Sequence, residues 1–315
     1  MDKKTFISGS ALLMLGAILF ISATKDDKKN GFDARALEKS MKYIPMGSYM
    51  FEDSSWESQG KIKGQMISLS AFYMCNHTVT NKEYGIFLTD LKDSNKQLYS
   101  KMLPDTLVWI TKKVFMEDMI KYYFSHPSFR DYPVVGVSHE QAEYYCKWLT
   151  AKYMKDPKRN INAKVVFKLP NLYQWEWAVH GGHAPDPFPW PGQYVRNYKG
   201  MYLANFIHMS ECGFKRENDT GKVEFAYSNW QDGSGTNLND AADITAPAIS
   251  YWPNDYGLYN MAGNVAEYVS EVGITKGGDW NDPGYYIQIW AQNHYKNAQS
   301  ASDKVGFRVC MKVEN

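Results

Sequence analysis

The stretch from Gly181 to Asn264 constrains this chain most. It is dense in Gly, Pro, Asn and Asp and shows no sustained period of 3.6 or 2 residues. A loop of that length survives inside a domain only when ions or packed aromatic side chains hold it. The chain is well supplied with the second: ten Trp and 23 Tyr raise the aromatic share to 15%. Hydrophobic residues at 44% are enough for a sizeable core, which excludes disorder across the bulk of the 315 residues. A net charge of +1 lacks the basic excess that nucleic-acid binding needs, so no nucleic-acid partner is expected.

Regular structure is announced at a few places. Thr80-Asn81-Lys82-Glu83, Ser138-His139-Glu140-Gln141 and Asn171 with Gln174 have the form of helix-starting capping boxes. Apolar residues follow at helical spacing: Tyr84, Phe87 and Leu88 after the first; Ala142, Tyr145, Cys146, Leu149 and Tyr153 after the second; Trp175 and Ala178 after the third. Strands are expected over Met66–Phe72, Val134–Val137, Val165–Leu169 and Gly306–Val313. The reading is an α+β domain with little regular secondary structure.

The amino terminus reads as a targeting segment. Lys3 and Lys4 precede an apolar run from Phe6 to Ala23, and charge returns at Lys25. Residues 1–23 fit a secretory signal peptide or an uncleaved membrane anchor, the run being slightly short of the ~20 residues of a comfortable bilayer span. Residues 24–40 read as a linker and 41–315 as the domain. Cys75, Cys146, Cys212 and Cys310 suit an oxidising compartment but are too few for a disulfide scaffold, and none forms a CxxC pair.

Several blocks then occur in a recognisable order. Tyr43–Tyr49, Val79-Thr80-Asn81-Lys82-Glu83-Tyr84, Pro133–Ser138 with Ala142–Trp148, Lys168–Gly182, Tyr256–Tyr268, Lys276-Gly277-Gly278-Asp279-Trp280 and Val305-Gly306-Phe307-Arg308 resemble the formylglycine-generating, or sulfatase-modifying factor, domains. The resemblance implies those domains' variant of the C-type lectin fold. In the copper-dependent enzymes of that family two Cys follow the "GGS" turn as Cu(I) thiolates. The matching positions here are Asp282 and Ile287, and the Ser after the glycines is Asp279. The reading is therefore a non-catalytic member without copper, with Asp279 and Asp282 in a turn.

The resemblance also implies structural calcium. One ligand set falls on Asn260, Gly263, Val265 and Glu267, the other on Asn205, Phe206, Asp240 and Ala242, with Gly263, Val265, Phe206 and Ala242 acting through carbonyls. It implies a disulfide between Cys146 and Cys310 as well. Val309 stands between Arg308 and Cys310, so a bulge is needed to turn that Cys to the right face. His180 and His183 sit in a Gly turn rather than on one helix face, and His180 reads as a structural loop residue. No nucleophile elbow, phosphate loop or dinucleotide fingerprint is present.

Within the family, the stretch from Leu91 to Asp131, with Pro104–Trp109 and Tyr123–Tyr132, resembles the insertion of the gliding-motility lipoproteins of the J and K type, which belong to type IX secretion machinery. That likeness implies a periplasmic, envelope-associated scaffold that assembles with other machinery proteins, in a ring or homo-oligomer. Attachment would be through the amino-terminal segment or through partners, because no acylated Cys follows the apolar run. The insertion, or the loops around Trp190 and Trp230, are the expected partner surface, and a chain lacking residues 95–124 is expected to fold. The alternatives are a metalloenzyme of the family using iron or another metal on a sulfur-containing substrate, and a lectin-like ligand binder.

Overall fold

The computed structural model describes residues 31–51, 64–110, 117–182, 186–207, 214–216, 223–225, 242, 244–291 and 300–314. The apolar run at 6–23 therefore lies outside the described residues. Among those residues no helix is long and apolar enough to cross a membrane.

The chain runs α1 (Ala34–Ser40), β1 (Met41–Ile44), β2 (Gly47–Phe51), β3 (Gln65–Leu69), β4 (Phe72–Cys75), α2 (Asn81–Ser94), α3 (Lys96–Met102), α4 (Glu117–Tyr122), α5 (His139–Lys155), β5 (Lys164–Lys168) and α6 (Leu172–Val179). It continues through β6 (Phe214–Arg216), β7 (Val223–Phe225), β8 (Ala266–Tyr268), β9 (Thr275–Lys276), β10 (Val305–Phe307) and β11 (Cys310–Glu314). Short 3-10 turns occupy Thr106–Trp109 and Pro127–Phe129. Part of the expected linker is thus helix α1, whose Ala34 is fully buried.

All three helix starts form as the sequence dictates, each with a reciprocal capping box. Helix α2 buries Tyr84, Phe87, Leu88 and Leu91, and α5 buries Ala142, Tyr145, Cys146, Leu149 and Tyr153. Tyr84 and Tyr145 stack between them at 5.8 Å. An antiparallel sheet in the order β1-β4-β11-β5 carries core on both faces. Alternation along its strands sends Cys75, Phe167 and Met311 toward α2 and α5, and Ile44, Phe72, Met74 and Cys310 toward α6.

Three strand expectations change. The Met66–Phe72 run splits: β3 pairs with β2 in a ribbon, whereas β4 joins the main sheet. Gly306–Val313 splits at Arg308, so β10 pairs parallel with β8 and β11 pairs antiparallel with β4 and β5. Val134–Val137 is a buried connector, bonded by Val134 N–H to Val79 O at 2.8 Å and by Gly136 N–H to Ser302 O at 2.8 Å. Gly136 has φ +69°, and a Cβ there would lie 2.5 Å from Asp105 O, so both conformation and space demand glycine.

The Leu91–Asp131 insertion is not only an added surface. Met102, Trp109, Tyr123 and Phe124 are buried in the main core. Asn81 Nδ2 donates to the carbonyls of Tyr123 (3.1 Å) and Phe129 (3.0 Å), and the Tyr123 hydroxyl donates to Pro133 O at 2.7 Å. Removal of residues 95–124 would open that core, so the expectation that such a chain folds is overturned.

Candidate functional site

Two tight loops meet where the family places its chemistry. Gly263 N–H donates to Gly277 O (2.8 Å) and Trp280 N–H to Asn264 O (2.9 Å), which ties the 260–264 loop to the Gly277-Gly278 turn. Asn264, at φ +67° and fully buried, bonds Ala246 through both ends of its amide and accepts from Asn205 Nδ2. Sequence reasoning passed over this asparagine, although its place after Gly263 is the kind of position where Asn tolerates a left-handed backbone.

The turn that carries Asp279 and Asp282 forms as expected. Asp279 N–H donates to Asp282 Oδ2 at 3.0 Å, and Asn281 N–H donates to Asp279 Oδ1 at 2.6 Å. Asp279 is fully buried, and its Oδ2 has no hydrogen-bond partner. Burial, with the Asp282 carboxylate second, holds the Asp279 carboxyl well above its ordinary value of 3.8. A carboxyl raised on folding favours the native state at low pH, and that benefit is lost as pH rises through the folded value. Asp279→Asn is therefore expected to melt higher than the parent at neutral pH, with the gap closing toward pH ~4. A series of melting curves across pH tests this.

Copper does not fit these positions. Asp282 presents a hard carboxylate committed to the turn, and Ile287 is fully buried among Phe188, Ala204, Phe206 and Ala262 with no donor atom at all. Cu(I) requires soft ligands, and neither side chain is one.

The first calcium set is corrected at Glu267. Its carboxylate receives Arg308 Nε at 3.0 and 2.8 Å, Arg308 Nη2 at 2.7 Å and Trp175 Nε1 at 2.8 Å. Both ionic residues are almost fully buried, so the charge a cation would need is already neutralised by Arg308. Asn260, at φ +51°, donates its amide to Pro247 O and Ala248 O, with Oδ1 buried and unpaired. Gly263 packs so closely that a Cβ would lie 2.2 Å from Asn205 O, and Val265 is buried. In the second set Asn205 and Phe206 are buried, and Asn205 Oδ1 likewise has no partner. Ala242 is half-buried, and Asp240 lies outside the described residues. Each set holds one orphaned amide oxygen, Asn260 Oδ1 or Asn205 Oδ1, but the carboxylate of the first set is spent on Arg308, so the Asn205 set fits a hard cation better. Among the described residues no three His, Cys, Asp or Glu side chains converge on a metal position.

Cys146 and Cys310 are buried free thiols, so the implied bridge is not formed. The reason is register: Val309 faces the α5 side with Cys146, whereas Cys310 faces α6, its Sγ 4.0 Å from Gln174 Oε1. His180 ends α6 with its ring tilted over Tyr49 at 6.0 Å. Burial, then Lys276, lowers its affinity for a proton, which suits a neutral structural role. His183 lies outside the described residues, as do Trp230 and Cys212. Trp190 stacks on Phe188 at 5.0 Å and donates to Tyr194 O.

The residues that sequence reasoning missed are charged and central. Lys276 Nζ meets Glu176 Oε1 at 2.9 Å, both nearly buried, and the Tyr49 hydroxyl donates to Glu176 Oε2. This pair and the Glu267–Arg308 pair flank Trp175. The only signal was position: Lys276 and Arg308 interrupt otherwise apolar short strands and turns.

A mixed domain of small sheets, with a loop-built centre under two glycine turns, defines the formylglycine-generating variant of the C-type lectin fold. The chain belongs to the sulfatase-modifying factor enzyme 1-like domain family, whose description matches residues 28–313. It is 24% identical over 250 residues to the formylglycine-generating enzyme of Bos taurus, covering 72% of this chain and 56% of that protein. It is 24% identical over 195 residues to the inactive C-alpha-formylglycine-generating enzyme 2 of Bos taurus, covering 56% of this chain and 50% of the relative. The chain thus spans about half the length of these relatives. In structure it is similar to PvdO from Pseudomonas aeruginosa, with a TM-score of 0.54 at 18% identity over 87% of this chain and 94% of that one. Treponema denticola variable protein 1 gives 0.53 at 16% identity, over 86% and 94%. The family thus holds relatives named as active and as inactive.

Proposed function

We propose that this chain is a non-catalytic member of its family that works by contact, as a scaffold in a cell-envelope secretion or gliding apparatus of the type IX kind. The observation that carries the reading is the pair at the thiolate positions: a turn-bound Asp282 and a fully buried Ile287. Losing both soft ligands removes the metal itself rather than part of the rate. The J/K-type likeness of the 91–131 segment supports the apparatus, and the charged-apolar pattern of residues 1–23 supports a periplasmic setting. With the insertion assigned to the core, partner contacts fall to exposed aromatic side chains such as Tyr194 and Tyr198.

Two measurements test this. Purified protein supplied with copper and oxygen should not convert the Cys of a sulfatase-type peptide, and affinity capture from the native envelope should recover machinery components. Turnover of the peptide would falsify the scaffold reading, and retained iron with turnover of a sulfur substrate would favour the metalloenzyme.

The reading includes structural calcium at Asn205, Phe206, Asp240 and Ala242. A bound ion adds ~2.7 kcal/mol at a hundredfold excess over its dissociation constant. Chelator should therefore lower the parent melting temperature and leave Asn205→Ala, already lowered, unmoved. A parent curve indifferent to chelator rejects the ion.

A further inference from the structure

Away from the two loops, three titratable side chains line up at the end of β4. Cys75 Sγ lies 3.7 Å from His77 Nδ1, and His77 Nε2 lies 3.1 Å from Glu83 Oε1. The imidazole stands between thiol and carboxylate, so the donors do not converge on one point as metal ligands would. The order instead matches a nucleophile, a base and a group that orients the base. Nothing in the scaffold reading uses it.

The hydrogen bonds fix the state of the ring. Nδ1 also faces Asn76 Oδ1 at 2.7 Å, while Nε2 faces the Glu83 carboxylate. Both nitrogens face groups that can accept, an arrangement that a doubly protonated, cationic ring satisfies. Glu83 is held independently: its Oε2 accepts from Thr80 N–H at 2.8 Å and Thr80 Oγ1 at 2.9 Å, as part of the α2 capping box. Its position is therefore set by the helix start and not by the histidine.

Charge follows from this geometry. Burial alone would lower the proton affinity of His77, yet Cys75 and Glu83 raise it well above the usual imidazole range. Burial alone would raise Cys75, yet the His77 cation brings the thiol below its usual value. The other groups facing the pair are the Tyr145 hydroxyl from α5 and Arg308, whose Nη1 binds the Cys75 carbonyl at 3.1 Å. The other two described thiols behave oppositely. Burial, with Cys310 second, pushes Cys146 well up, and burial pushes Cys310 to about 12.

We propose that Cys75, His77 and Glu83 form an activated thiol that takes small hydroperoxides and becomes a sulfenic acid. In that step the Cys75 thiolate attacks one peroxide oxygen. An S–O bond forms, the O–O bond breaks, sulfur loses two electrons, and the departing hydroxide (alkoxide from an organic hydroperoxide) takes the His77 proton to leave as water or alcohol. Selectivity for small oxidants follows from access. Cys75 is 3% exposed, and its other polar neighbour is Ser40 Oγ at 3.5 Å, at the half-buried end of α1.

The test uses the full chain treated with hydrogen peroxide, with dimedone to trap sulfenic acid and peptide mass spectrometry to resolve each site. Cys75 should label about tenfold or more faster than Cys146 and Cys310 at neutral pH, and all three equally in urea. Its rate should hold to lower pH than an ordinary thiol of ~8.5 allows. Glu83→Gln keeps the capping box, since Gln serves at that position, but removes the negative charge behind the ring. His77 then holds its second proton less firmly and the thiolate loses its cation, so the labelling rate at neutral pH should fall. Labelling of Cys75 no faster than its two buried counterparts overturns the proposal, as does a Glu83→Gln profile that coincides with the parent. Should that variant fail to fold, the parent's own pH profile decides: a midpoint at or above the ordinary thiol value rejects activation.

Discussion

Arg308→Met is expected to cost about 3–5 kcal/mol of stability, because it strands Glu267 as a buried charge with only the Trp175 indole for company. The substitution also releases the Cys75 and Tyr259 carbonyls, which Arg308 binds at 3.1 and 2.7 Å. Those carbonyls lie on separate segments, so one side chain joins β4, the 259 loop and β8. Urea denaturation reads the loss directly as a lower midpoint. The control is the double variant Glu267→Gln with Arg308→Met. It removes both charges while keeping an acceptor for Trp175, so it should recover part of the single-variant loss. A single-variant cost below about 1 kcal/mol, or a double variant equal to the sum of its parts, would reject the buried pair as the central tie. The same experiment separates the ion pair from calcium. Glu267→Gln should lose equal stability with and without chelator, since its oxygens are engaged by protein donors and not by an ion.

What could be read in advance was local. The capping boxes at Thr80, Ser138 and Asn171 need only residues three apart, and the buried stripe of α5 needs only the helical period. Strand limits failed where the cause lay at a distance. Arg308 breaks the Gly306–Val313 run because its partner is Glu267, 41 residues earlier, and no pattern within the run contains that fact. The same break decides the cysteines: with Arg308 turned inward and Val309 toward α5, Cys310 must face α6. The family blocks led to the right fold. They did not reveal that Glu267 is spent on Arg308. A carboxylate has the same letter whether it meets a cation or a guanidinium.

Trp109→Ala is the second change expected to be severe, and it bears on what the insertion is for. Trp109 is fully buried, 4.6 Å from the Tyr123 ring and 6.5 Å from Trp280, with which it lies nearly parallel. Trp280 belongs to the turn that follows the two glycines, where the family's enzymes hold their metal thiolates. The insertion therefore packs on the back of that turn. Truncation to alanine would leave a cavity the size of an indole between the 3-10 turn and the main core, at a cost of about 3–5 kcal/mol. Trp109→Phe gives the sharper measurement. The Trp109 indole N–H is buried with no acceptor, and such an orphan costs ~1–3 kcal/mol. Phenylalanine deletes that orphan while keeping much of the ring, so its net cost should be no more than about 2 kcal/mol. Equal losses from the two substitutions would mean that the indole nitrogen contributes where the structure shows it unpaired. A negligible loss from Trp109→Ala would return the insertion to the surface. Between those outcomes, a large alanine cost and a small phenylalanine cost mean that the 91–131 segment fills the space behind the turn that follows Gly277-Gly278. Deleting it would then abolish partner capture by unfolding the domain, and only point changes at its exposed side chains could test contact.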